Sequence, residues 1–234
     1  MAMSSTTPQS GASEGSAAGG TPDSAALLGD ALRSTRIVAI LRGRSGEHVD
    51  AVVDTLVDAG VRCLEITMNT PGALDAVRGA VERHGTSAKV GVGTVRTPEH
   101  VDRAAEAGAE FVVAPDTDSD VAARVHARGL GYFPGAFTAS EVTAATKLGA
   151  TAVKIFPASL GGPGYIRELR APLDDIDLLP TGGVTLDLVR PFLEAGACGL
   201  GIGSPLLGDA LDGGDLGELR RRAHTFLAET EAAA

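Results

Sequence analysis

From Ser34 onward the sequence repeats one unit eight times: a short apolar run, a turn, then an amphipathic stretch that usually stops at a glycine. The apolar runs are Arg36–Leu41, Val61–Thr67, Lys89–Thr94, Phe111–Ala114, Gly131–Phe133, the run around Lys154, Asp177–Pro180 and Cys198–Ile202. Helical periodicity fills Glu47–Ala59, Pro71–His84, Pro98–Ala107, Ser119–Arg128 and Thr138–Leu148. Gly60, Gly108, Gly129 and Gly149 follow four of these stretches, where a helix ends most easily on a residue that tolerates left-handed backbone. Strands that alternate with helices run parallel, because each crossover returns the chain to the same edge of the sheet. Eight such units in about 200 residues sit at the low end for a (β/α)8 TIM barrel. The expected fold is therefore α/β, a single barrel over residues 25–234 behind a disordered N-terminal tail, residues 1–24. A doubly wound open sheet is the alternative. Against it, no Gly-x-Gly-x-x-Gly opens the first helix and no break in strand order is visible.

Composition agrees with a sheet buried on both faces. Hydrophobic residues make up 44% of the chain but aromatics only 3%, so the core must come from Val, Ala, Leu and Ile. The formal charge of −10 argues against nucleic acid or an anionic membrane surface as a partner. No apolar run approaches the roughly 18 residues of a membrane span. The first 24 residues, Ser-, Gly-, Ala-, Thr- and Pro-rich, lack the basic start and apolar centre of a secretory signal. Cys63 and Cys198 form no Cys-x-x-Cys pair and lie in apolar runs, which fits buried free thiols. A cytoplasmic protein is expected. Histidines 48, 84, 100, 126 and 224 fall on helices or their ends without metal-ligand spacing and are expected at the surface, with no metal and no cofactor.

Lys154 stands in the middle of an apolar strand, Ala150–Ala158. A cation there must be paired, snorkelling or partly neutral. A neutral amine can attack a carbonyl to form a Schiff base, whereas a lysine reaching a carboxylate at the strand end would be purely structural. In a barrel the reactive groups gather at the C-terminal ends of the strands. The polar residues there are Arg42, Glu65, Thr67, Asn69, Thr94 and Lys154, with Pro115 following strand four. Side chains alternate along a strand, so an inward Glu65 carries Cys63 and Thr67 inward and leaves Leu64 and Ile66 for the helices. An inward Lys154 likewise takes Ala152 and Phe156 with it and turns Val153 and Ile155 outward. Lys154 and Glu65 then form a candidate acid/base pair. For Glu65 the competing role is a plain salt bridge to Lys154 or Arg42, and for Arg42 a strand-end charge meeting solvent. Thr94 gains interest only from its neighbours. The segments Thr181-Gly-Gly-Val184 and Gly201-Ile-Gly-Ser-Pro205 put Gly182, Gly183, Gly203 and Ser204 just before helices. Their amides can turn towards one anion, as barrels often arrange for a phosphate, or they can form tight turns without a ligand.

Together these segments resemble the 2-keto-3-deoxy-6-phosphogluconate aldolases. The matching stretches are Val38-Ala-Ile-Leu-Arg-Gly43, Leu64-Glu-Ile-Thr-Met-Asn-Thr-Pro71, Gly91-Val-Gly-Thr-Val95, Val153-Lys-Ile-Phe-Pro157 and Thr181-Gly-Gly-Val184. The resemblance runs from Arg36 to Leu207 and implies a metal-independent class I aldolase, a homotrimer of (β/α)8 barrels. It implies Lys154 as the Schiff-base lysine, Glu65 as the general acid/base, Arg42 and Thr94 at the pyruvoyl carboxylate, and Gly182, Gly183 and Ser204 at the phosphate. The implied substrate is a phosphorylated keto-sugar acid: 2-keto-3-deoxy-6-phosphogluconate, its galactonate epimer, or the related 4-hydroxy-2-oxoglutarate. Asn69 stands where gluconate-type members often carry arginine, and it looks more like the galactonate branch; Gly162-Pro-Gly-Tyr-Ile166 does too. Thr67 and Thr181-Gly-Gly183 look like the gluconate branch. Two other classes compete. Another phosphate-binding barrel enzyme would not need Lys154 and Glu65 together, and a non-catalytic sugar-phosphate sensor would tolerate their loss.

Overall fold

The computed structural model describes residues 24–233; the expected tail lies outside them except for Ser24, which opens a helix. In chain order the main elements are α1 (Ser24–Thr35), β1 (Ile37–Leu41), α2 (Val49–Asp58), β2 (Cys63–Thr67), α3 (Ala73–His84), β3 (Lys89–Gly93) and α4 (Pro98–Glu106). Then come β4 (Phe111–Val113), α5 (Ser119–Ala127), β5 (Gly131–Phe133), β6 (Gly135–Ala136), α6 (Ala139–Lys147) and β7 (Val153–Ile155). The chain finishes through α7 (Gly162–Arg170), β8 (Leu178–Pro180), α8 (Val189–Glu194), β9 (Leu200–Ile202), α9 (Ser204–Leu207) and α10 (Leu216–Glu231).

All pairings are parallel, but the ladders do not make one continuous eight-stranded barrel. They form a six-stranded sheet, β5-β4-β3-β2-β1-β9, and a three-stranded sheet, β6-β7-β8. Prolines explain both seams. At the first, the Pro134 carbonyl accepts from the Lys154 amide at 2.9 Å, so the ring nitrogen on that same side has no hydrogen to give β7. Thr151 fills in, its amide donating to the Tyr132 carbonyl and its hydroxyl accepting from the Tyr132 amide. At the second, the Leu178 carbonyl accepts from the Cys198 amide at 2.9 Å, and Pro180, two residues on, faces β9 without a donor. A single bridge, Thr181 to Gly201, completes that contact.

The core has two layers, in the parity expected for parallel strands with helices outside. Leu64, Ile66, Val153 and Ile155 pack with the helices. Val38, Cys63, Phe111, Val113, Phe133, Ala152 and Leu179 form a separate inner cluster. Helix α1, absent from the sequence reading, closes this inner cluster from below. Its Leu28 and Leu32 are 1% and 4% exposed and sit against Gly131 and Gly199, which precede or begin strands. A Cβ on Gly131 would overlap the Leu28 side chain, so the glycine makes the docking possible. The site side chains lie at the opposite, C-terminal ends of the strands.

Candidate active site

Glu65 is the third residue of β2, in register with Ile40 of β1 and Gly91 of β3. The side chain is 2% exposed and lies over Gly93, where any Cβ would overlap the carboxylate. That glycine is thus required by the glutamate beside it. Lys154, centre of β7 and 6% exposed, pairs across the sheet with Gly135 and Leu179. Among the described residues neither Arg42 nor Lys154 is within ion-pair distance of Glu65, so the plain salt bridge is not formed. Burial nevertheless dominates both titrations. It pushes the Glu65 carboxyl above its usual range, against the opposing pull of Lys154 and Arg42. It pushes the Lys154 amine below its usual range, helped by the Arg42 charge and opposed by Glu65. A glutamate held towards its acid form and a lysine held towards its free base are what proton transfer and carbonyl attack require. The Phe156 ring covers the amine, with Nζ 5.1 Å from the ring centroid, while the ring itself is 44% exposed.

Arg42 and Thr94 meet: the guanidinium donates to Thr94 Oγ1 at 3.2 Å. Thr94 has φ of 61°, a left-handed conformation that costs a β-branched residue about 1–3 kcal/mol and is retained where surroundings enforce it. The backbone on either side of Arg42 is also fixed. Thr67 Oγ1 donates to the Leu41 carbonyl at 3.3 Å, and the Gly43 amide donates to Thr70 Oγ1 at 3.1 Å. The two hydroxyls are themselves 3.1 Å apart. The sequence reading did not single out Thr70; a Thr-x-x-Thr spacing at the end of a strand that carries Glu65 was the available signal.

Gly182 and Gly183 both adopt left-handed backbone, with φ of 87° and 80°. The Phe156 ring lies 3.1 Å from where a Gly182 Cβ would be. Among the described residues no loop or turn hydrogen bond takes up the amides of Gly182, Gly183, Gly203 or Ser204, while the Gly182 carbonyl is tied to the Ser159 amide. Gly203 and Ser204 line a cavity of about 280 Å³ together with Arg42. Pro115 is half-buried beside Gly135, its carbonyl occupying the space a Cβ would need. Asn69 is the outlier. It is exposed and lines a different hollow, with Arg78 and Arg103 among its walls and none of the other candidate residues. Of the histidines expected at the surface, His126 and His224 are exposed, whereas His48, His84 and His100 are half-buried, His84 against Asp54 at 2.6 Å from its carboxylate. Among the described residues no cluster of three or more His, Cys, Asp or Glu is arranged to hold a metal ion.

The sequence profile of the family described as "KDPG and KHG aldolase" matches residues 28–221. The chain is 39% identical over 171 residues to the 2-dehydro-3-deoxy-6-phosphogalactonate aldolase of Escherichia coli, covering 73% of this chain and 83% of that one. It is 31% identical over 190 residues to the KHG/KDPG aldolase of the same organism, covering 80% of this chain and 88% of the relative. A solved structure described as native KDPGal superposes with a TM-score of 0.79 at 36% identity, over 84% of this chain and 95% of the other.

Proposed function

The chain belongs to the KDPG and KHG aldolase family, and from that premise we propose a Schiff-base mechanism centred on Lys154 and Glu65. The enzyme is a class I aldolase that cleaves keto-deoxy-phosphosugar acids. In the proposed reaction the Lys154 amine adds to the C2 ketone, and the resulting carbinol hydroxyl takes the proton of neutral Glu65 and leaves as water, giving an iminium beside the Glu65 carboxylate. Glu65, directly or through one water, takes the C4 hydroxyl proton. The C3–C4 bond breaks, its electrons pass into the iminium to leave an enamine, and glyceraldehyde 3-phosphate departs. The protonated Glu65 returns its proton to C3, and water hydrolyses the pyruvate iminium to free pyruvate and the neutral Lys154 amine, the released proton going back to Glu65. Arg42 and Thr94, already joined, hold the pyruvoyl carboxylate, and a fixed orientation of this kind is a large entropic contribution to rate. The loop amides at Gly182, Gly183, Gly203 and Ser204 receive the phosphate, with Phe156 and Pro115 shaping the space between.

The observation that carries this reading is the burial of an amine and a carboxyl whose environments push both towards their neutral forms. The finer parts of the proposal are a closed (β/α)8 barrel, a homotrimer, a cytoplasmic location, and a substrate of gluconate or galactonate configuration. Support for the galactonate epimer comes from the 39% relative and from Asn69; Thr67 and Thr181 support the gluconate epimer. Borohydride reduction in the presence of pyruvate, followed by peptide mass mapping, tests the mechanism. The expected result is a reduced pyruvoyl adduct on Lys154 that is absent in Lys154→Ala. A folded wild-type protein that yields no adduct would overturn it.

A further inference from the structure

The aldolase reading leaves the far end of the substrate, a phosphate dianion, met only by backbone amides and the Ser204 hydroxyl. The protein as a whole carries a formal charge of −10, so its long-range field does not favour an anion. A local cation near the loop would correct this. The cavity of about 280 Å³ that opens between the end of β1 and the entrance to α9 contains one, because Arg44 lines it alongside Arg42, Gly203 and Ser204. At roughly 30 Å³ for each water in the liquid, the space holds several waters and therefore a phosphate group.

The two arginines are not equivalent. Arg42 is engaged with Thr94 at the carboxylate end. Arg44 is exposed, and among the described residues it has no ion pair and no side-chain hydrogen bond. Asp212 shares the wall of the cavity and opposes an anion, so the wall sets two guanidinium groups against one carboxylate. We propose that Arg44 is a specificity-determining residue that takes the substrate phosphate from the β1 side while Gly203 and Ser204 hold it from the β9 side. A planar guanidinium suits this task, since it offers a phosphate two parallel N–H donors where an ammonium offers a point charge. The inference rests on the aldolase reading and adds a preference for phosphorylated over unphosphorylated sugar acids.

The test compares 2-keto-3-deoxy-6-phosphogluconate with its dephosphorylated counterpart, in wild type, Arg44→Met and Arg44→Lys. The expected result is a KM for the phosphorylated substrate about tenfold higher in Arg44→Met, in line with the loss of a charge-assisted hydrogen bond. The kcat/KM ratio of phosphorylated to dephosphorylated substrate should fall by a similar factor, with Arg44→Lys recovering part of it. The wild-type KM should rise with ionic strength more steeply than that of Arg44→Met. An unchanged ratio in Arg44→Met overturns the assignment, as does an equal loss on both substrates. Pyruvate trapping on Lys154 separates the two levels. Absence of the adduct in wild type removes the aldolase mechanism, whereas an adduct with an unchanged ratio removes Arg44 alone.

Discussion

The Lys154 amine titrates under three influences that can be dissected by substitution. Burial lowers its pKa from the usual 10.5, Arg42 lowers it further, and the Glu65 charge works the other way. Adduct formation with pyruvate should therefore reach half its maximum rate at a pH below 10.5. Replacing Glu65 by Gln removes the one influence that raises the pKa, so the midpoint of the trapping rate should move down, while turnover of the full substrate is lost. A pH series of borohydride trapping measures both, and an upward shift in Glu65→Gln would contradict the electrostatics. At this scale the sequence was unusually legible. Once Glu65 and Lys154 are taken as inward, strand parity carries Cys63 and Ala152 inward with them and sends Leu64, Ile66, Val153 and Ile155 to the helices, because the period of a strand leaves only two choices. What parity could not reveal was dictated by contacts across strands. Gly93 is a glycine because Glu65 occupies its Cβ position, and Thr94 has left-handed backbone; neither has a signature in its own neighbourhood.

Between one element and the next, the expected order and type of strands and helices matches the structure from β1 to β5, with ends differing by a residue or two, as boundaries commonly do. Helix α1 escaped because it directly follows a Ser/Gly/Ala-rich segment and half of its apolar positions are alanines that continue that composition. Its contribution becomes plain only where Leu28 and Leu32 enter the inner cluster. Leu28→Ala should cost about 2–5 kcal/mol, the usual range for emptying a fully buried leucine site. Denaturant titration measures the loss, and kcat per folded molecule should stay within twofold or so of wild type, since α1 sits at the end of the strands away from Lys154. A change in kcat with no loss of stability would mean that α1 has a different role. The ninth strand and the split into two sheets were likewise hidden. Pro134 and Pro180 are visible in the sequence, but which neighbour each proline faces depends on register.

For the molecule as a whole, the composition had already pointed to an aliphatic core, and the inner and outer clusters are built mainly from Val, Ala, Leu and Ile. No helix among the described residues is long and apolar enough to cross a membrane. Cys63 is buried in the inner cluster, whereas Cys198, expected buried as well, is half-buried at its edge, and both report on the integrity of this core. Burial, with Glu110 beside Cys63 and Asp177 beside Cys198, pushes both thiols up to about 12. Near neutral pH the native protein should thus present on the order of a thousandfold less thiolate than a free cysteine of pKa 9.0. Iodoacetamide labelling should be slow until urea opens the fold and should then reach the rate of a free thiol. Rapid labelling of Cys63 in the native protein would show that the inner cluster opens locally.

The two proline seams divide the strands in a way that bears on the chemistry. Glu65 belongs to the six-stranded sheet and Lys154 to the three-stranded one. The spacing of acid and amine is accordingly a distance between two sheets, joined at one seam through the continuous run 131–136 and at the other through the Leu178–Cys198 bond and the Thr181–Gly201 bridge. The register within each ladder fixes where each group stands in its own sheet, and the seams fix how the two sheets, and so the two groups, are placed against each other.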